Sequence, residues 1–95
     1  MEDEIEFEWD EAKRDGNLAK HGVDFTKAGK FDFETSFTRE DIRDAYGEQR
    51  YVSIGLIDGR PYVMVWCYRG SKVRVISLRK ANKKERASYE SEILR

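Results

Sequence analysis

Three arginines, Arg69, Arg74 and Arg79, stand five residues apart in the C-terminal third of the chain, and His21 is its one imidazole. Guanidinium forks match phosphate oxygens bidentately and stay charged at any working pH, so this spacing suits a polyanion. Imidazole is the side chain whose ordinary pKa lies near neutrality, which makes His21 a candidate proton acceptor as well as a candidate helix cap. Lys20, Lys80, Lys83 and Lys84 are further cations near the same positions. Between Arg69 and Arg86 there are eight basic residues against one acid, Glu85, although the 95-residue chain carries a net charge of only −1. Residues 1–10, in contrast, hold six acids and no base. Such asymmetry is the footprint of a binding face on a near-neutral protein; the alternative is mutual neutralisation of the two blocks across the surface.

The elements that must position these residues follow from periodicity. Ile5, Phe7 and Trp9 alternate with Glu4, Glu6 and Glu8, the pattern of a short half-buried strand able to pair at a sheet edge. Asp10 is an N-cap, and residues 11–20 form a helix closed by His21 and Gly22. Asp24 opens a second short helix with Phe25, Ala28 and Phe31 at helical spacing. From Phe33 to Arg50 the pattern is irregular: Thr35 to Arg39 suits a strand, and Glu40 to Gln49 a polar loop turning at Gly47. Three clear strands follow, Arg50 to Ile57, Pro61 to Tyr68 and Lys72 to Arg79, with turns at Asp58-Gly59 and Arg69-Gly70-Ser71. Asn82 and Glu85 make a capping box for a C-terminal helix reaching Leu94. The expected fold is α+β, an antiparallel sheet of three to four strands with N-terminal helices and a C-terminal helix packed on one face. Tyr62, Met64, Trp66 and Tyr68 share one side of the middle strand, and any exposed part of that stripe would be a binding surface.

Parity sets a problem for the arginines. On an unbroken strand Arg74 shares a face with Ile76 and Leu78, whereas Arg79 shares one with Val73, Val75 and Ser77. Both reach one phosphate only if the strand bulges near Val75-Ile76, or if Arg79 lies beyond its end. The cap at Ala81-Asn82 favours the second.

Composition narrows the class. Residues 1–95 make a single small domain. No apolar run approaches the length of a membrane span, and the acidic N-terminus lacks the features of a signal peptide. The lone Cys67 points to a reducing cytoplasm and a small core residue rather than a nucleophile. One histidine and one cysteine argue against an all-protein transition-metal site.

Two stretches carry a family resemblance. Phe7-Glu-Trp-Asp-Glu-Ala-Lys13, with Asn17 and Lys20-His-Gly-Val-Asp-Phe25, resembles the N-terminal signature of the BrnT family of bacterial toxins. Arg74-Val-Ile-Ser-Leu-Arg-Lys-Ala81, followed by Glu85-Arg86 and Tyr89, resembles its C-terminal signature. The resemblance implies a RelE/ParE-like fold and a metal-independent ribonuclease without cofactor, the toxin of a type II toxin–antitoxin pair. It also implies a partner, a small ribbon-helix-helix, BrnA-like antitoxin that neutralises the toxin in a hetero-oligomer and with it represses the shared operon.

Metal-free RNA cleavage asks for a base toward the 2′-hydroxyl, a cation for the charge on phosphorus, and an acid for the leaving oxygen. Arg69, Arg74 and Arg79 are the candidate cations and His21 the candidate base, with Lys20 as a phosphate contact. Glu85 and Tyr89 are acid or base candidates, although the capping box offers Glu85 a complete alternative role. Trp9 suits the core better than a stacking platform. Lys80, Lys83 and Lys84 suit a landing site for RNA at a helix mouth. The rival is a non-catalytic nucleic-acid-binding or protein-interaction module using the same basic face.

Overall fold

The computed structural model describes residues 4–41 and 48–93. Its framework is a five-stranded mixed sheet in the order β1-β5-β4-β3-β2, built from β1 (Phe7–Glu8), β2 (Asp32–Asp41), β3 (Arg50–Ile57), β4 (Arg60–Arg69) and β5 (Lys72–Lys80). Helix α1 (Glu11–His21) and a short 3-10 helix (Phe25–Lys30) link β1 to β2, and helix α2 (Lys83–Ile93) follows β5. Turn chemistry and alternation account for the centre of the sheet. Asp58 and Gly59 both have positive φ, 50° and 80°, the two-residue hairpin geometry that matches strand twist.

The sheet has five strands where three to four were expected, and β1 makes it mixed rather than antiparallel. β1 pairs parallel with β5 through Phe7↔Val73 and Glu8↔Arg74, which a two-residue strand followed by a crossover helix permits but does not announce. β2 extends over ten residues rather than Thr35 to Arg39. Its alternation is hidden by a local turn at its start, where the Asp32 carboxylate accepts from Glu34 N (3.1 Å) and Thr35 Oγ1 (2.9 Å), and pairing with β3 shifts register between Asp32 and Phe37. The Gly47 turn and Leu94 lie outside the described residues.

Capping supplies the helix boundaries foreseen. Asp10 Oδ1 accepts from Ala12 N (2.8 Å) and Lys13 N (3.2 Å), and Gly22 closes α1 with φ 72°. Arg14 grips Asp24 through Nε (2.9 Å) and Nη2 (3.0 Å), tying α1 to the 3-10 helix. This pairing, led by the hydrogen bond from Arg14, holds the Asp24 carboxyl far below the usual range.

One sheet face packs under α1 and the 3-10 helix, with Val23, Phe25, Ala28 and Phe31 against Tyr62, Met64, Trp66, Val75 and Leu78. The aromatic stripe of β4 is therefore core, and only Tyr68 is exposed. Gly55 has no side chain where Phe31 passes: a Cβ there would stand 2.6 Å from its ring. The helices do not share one face. Val52, Val63 and Ala81 form a second, smaller cluster on the other side, where α2 contacts β2 and β3. Tyr89 is the buried residue of α2, and its hydroxyl donates to Thr35 O at 2.9 Å.

Asn17 locks α1 to the sheet. Its side chain is buried and its amide donates to Leu78 O (2.7 Å) and Val23 O (3.0 Å), while its oxygen accepts from Leu78 N at 3.2 Å. Both backbone groups of Leu78 are thus paired by one carboxamide, which stands in for the neighbouring strand that β1 is too short to supply.

Candidate active site

A β-bulge decides the placement of the arginines. Trp66 pairs with Val75 and Val65 with Ser77, so Ile76 is an additional residue in β5. The register then puts Val73, Val75 and Leu78 on the α1 side, beside Tyr68, Trp66 and Met64, and puts Arg74, Ser77 and Arg79 together on the α2 side, opposite Cys67, Val65 and Val63. The expectation that Arg79 lies beyond the strand is corrected: it sits within β5, and the bulge reconciles the two parities.

Each of the two arginines meets a carboxylate. Arg74 Nη1 donates to Glu8 Oε2 at 2.6 Å, its parallel cross-strand neighbour. Arg79 grips Glu85 end-on, Nη1 to Oε1 at 2.7 Å and Nη2 to Oε2 at 2.8 Å. Glu85 also closes the capping box, accepting from Asn82 N (2.9 Å) while its own N–H donates to Asn82 Oδ1 (2.8 Å). The hydrogen bond from Arg79 is the main cause that pushes the Glu85 carboxyl below its ordinary pKa, and the Arg39 charge contributes. Glu85 is therefore an ionised acceptor at neutral pH, and the same pair raises Arg79 further. These contacts use Nη1 and Nη2 and leave the Nε–H edge of Arg79.

His21, in the last turn of α1, lies one helical turn beyond Asn17 and so is carried to the end of β5. It is half-buried. Burial, then the charges of Lys20 and Arg79, push its imidazole below the ordinary value, so it is held neutral near pH 7. A neutral imidazole within the field of a guanidinium is a proton acceptor near a fixed positive charge.

The remaining candidates are distributed around this centre. Lys20 is exposed beside His21, and Lys83 and Lys84 are exposed in the first turn of α2. Lys80 pairs with Tyr62 and points to the side of β5 opposite Arg79. Arg69 is held apart. It pairs with Lys72 at the far end of the hairpin, about 20 Å along the strand from Arg79 at ~3.3 Å per residue, and meets Glu48 at 3.4 Å. Tyr89 is occupied by Thr35, and Cys67 is buried, its thiol pushed up chiefly by that burial. Trp9 packs edge-on against Phe25.

Two contributors escaped sequence reasoning. Glu8 belongs to an acidic stripe whose parallel pairing is invisible without β1. Arg39 projects from β2 on the α2 side, opposite Val52, close enough for its charge to act on Glu85; alternation from Phe37 was the available signal.

The profile of a family described as "Ribonuclease toxin, BrnT, of type II toxin-antitoxin system" matches residues 9–85. The chain belongs to the BrnT family. It is similar to the Brucella abortus ribonuclease toxin BrnT, whose crystal structure was solved at 1.1 Å resolution, with 32% identity over 83% of this chain and 99% of that one and a TM-score of 0.61. No curated protein sequence matches the chain. Membership of the BrnT family makes this chain a ribonuclease toxin of a type II system, with RNA as substrate and an antitoxin as partner. The matched segment begins at Trp9 and ends at Glu85, so it takes in His21, Arg74, Arg79 and the capping-box carboxylate. No helix among the described residues is long and apolar enough to cross a membrane.

Proposed function

We propose that the chain is a single RelE/ParE-like domain acting in the cytoplasm as a metal-independent endoribonuclease, and that it arrests translation and growth by cutting RNA. His21 takes the proton of a ribose 2′-hydroxyl, whose oxygen attacks phosphorus. The P–O5′ bond breaks, leaving a 2′,3′-cyclic phosphate, and the departing oxygen takes its proton from solvent. Arg79 stabilises the charge that gathers on the phosphoryl oxygens. Arg74 lies about 13 Å farther along the same face, four strand positions away, and suits a neighbouring phosphate better than the scissile one. Arg69, Lys83 and Lys84 attract RNA from a distance, and Lys20 contacts phosphate beside His21. The partner is a ribbon-helix-helix, BrnA-like antitoxin in a hetero-oligomer.

The observation that carries this reading is a half-buried His21 at the end of α1, near enough to Arg79 for the guanidinium charge to help lower its pKa. The test is purified protein with RNA and a chelator. Cleavage that persists, with cyclic phosphate ends, and that disappears in a folded Arg79→Ala variant together with growth arrest, supports the assignment. Full activity of Arg79→Ala sinks it. A second reading, binding without catalysis, draws support from the carboxylates already gripping Arg74 and Arg79; RNA bound but never cut would favour it.

A further inference from the structure

A concavity of about 320 Å³ lies where β4 begins and β5 ends, lined by Arg60, Pro61, Lys80, Ala81 and Arg86. Its walls come from three elements. Lys80 pairs with Tyr62, and Ala81 N donates to Pro61 O at 3.0 Å, carrying the β4–β5 ladder one step past the strand. Arg60 and Lys80 share a face by register, two residues from the same Tyr62 and opposite it. Arg86 is delivered by the first turn of α2, whose start is fixed by the Asn82–Glu85 box.

Three cations thus converge on one hollow with no carboxylate in its lining. Among the described residues Arg60, Lys80 and Arg86 form no ion pair, unlike Arg69, Arg74 and Arg79, each of which has one. Three uncompensated cations around a concavity repel one another, and an anion with several oxygens relieves that repulsion. The hollow adjoins the reaction centre, since Lys80 follows Arg79 in the chain and the two side chains leave β5 on opposite sides. A strand of RNA with its scissile phosphate at Arg79 reaches this hollow by passing over the end of β5.

We infer that Arg60, Lys80 and Arg86 form a subsite for a backbone phosphate flanking the scissile one in single-stranded RNA. This rests on the ribonuclease reading above. The site is a positioning subsite: it holds the strand and touches no reacting atom.

The test uses a ten-nucleotide 2′-O-methyl RNA, which cannot be cut, titrated by fluorescence anisotropy against the intact chain and the Arg60→Ala/Arg86→Ala double variant at several salt concentrations. Both side chains are exposed, so the unfolding midpoint should be unchanged. The double variant should bind about tenfold more weakly, with its salt slope reduced by about 0.7, one phosphate's worth for a single strand. An Arg60→Lys/Arg86→Lys variant should recover most of the affinity. On cleavable RNA the alanine variant should raise KM with kcat retained. Equal affinity and equal salt slope for the two proteins would overturn the subsite, as would loss of binding to a polyglutamate peptide with RNA affinity intact, which would give the hollow to an acidic protein. Failure of the parent protein to cut RNA would strike the ribonuclease reading instead, and the anisotropy result would still decide the subsite.

Discussion

Deleting Ile76 tests the geometry on which the candidate site depends. In the bulged strand the neighbours of Ile76 already have their partners, Val75 with Trp66 and Ser77 with Val65. Removing it leaves Val73, Val75 and Leu78 facing α1, and Arg74, Ser77 and Arg79 facing α2, with the ladder intact. The cost is the contacts of one half-buried isoleucine and some strand twist, about 1–2 kcal/mol, or roughly 5–15 °C in Tm for a chain of this size. In a regular strand the same deletion would turn the fully buried Leu78 to solvent, at about 2 kcal/mol. It would also drive Arg79 into the core without Glu85, at several kcal/mol more. Together these approach the whole stability of a small domain, roughly 5–10 kcal/mol. Urea denaturation followed by tryptophan fluorescence separates the two cases. A cooperative transition at lowered midpoint is expected; its absence would refute the bulge. Deleting Ile54 is the control, because β3 and β4 pair there without a shift, and turning Ile57 out of the core should abolish folding.

Asn17→Leu should lose about 2–4 kcal/mol, because it leaves the backbone groups of Leu78 and the carbonyl of Val23 unpaired in the interior; Asn17→Asp should fare no better, lacking the two donated bonds, and urea melts check both. The pH profile of kcat/KM should show an acid limb whose midpoint lies below the ordinary imidazole value of 6.5, with activity rising as His21 loses its proton; a limb that survives in His21→Asn would reassign the base. Glu85 has a folded pKa depressed below its ordinary value of 4.5, so the stability it contributes is present above that value and lost as pH falls through the depressed one, and Glu85→Gln should blunt the acid sensitivity of Tm. Tyr89→Phe should cost about 1 kcal/mol through its lost bond to Thr35 O and loosen α2, read as faster amide exchange there.

Legibility in the sequence followed how local each feature is. Asp10, Gly22, Asp58-Gly59 and the Asn82–Glu85 box act within four residues, and each was readable from residue type and spacing. The parallel pairing of β1 is set by contacts more than sixty residues apart, and two residues of alternation cannot specify it. β2 was obscured because Asp32 satisfies nearby donors and breaks the pattern. The aromatic stripe of β4 looked like a possible surface because periodicity shows that two faces differ but not which one a helix will cover. The bulge was one of two solutions to a parity conflict visible in the sequence, and the cap at Asn82 pointed to the wrong one: a helix start soon after Arg79 does not require the strand to have ended before it.

The cations at the start of α2 raise a question of sign, since lysines in a first helical turn oppose the dipole. Glu85 answers it for the free protein. By accepting from Asn82 N and both Nη groups of Arg79, it places negative charge at the helix mouth and fixes the guanidinium plane before any substrate arrives. The consequence for the proposed chemistry is a trade. A pre-paired Arg79 attracts ground-state RNA less strongly than a bare cation, yet needs little reorganisation when charge gathers on phosphorus, which is the moment that counts for kcat. Capture then falls to cations without such partners among the described residues, Lys80, Lys83 and Lys84 with Arg60 and Arg86, whose exposed charges act at range and weaken with salt. Arginines held by carboxylates inside the sheet and cations left unpaired around the start of α2 are, on this account, two answers to one problem: attracting a polyanion without losing the geometry that cuts it.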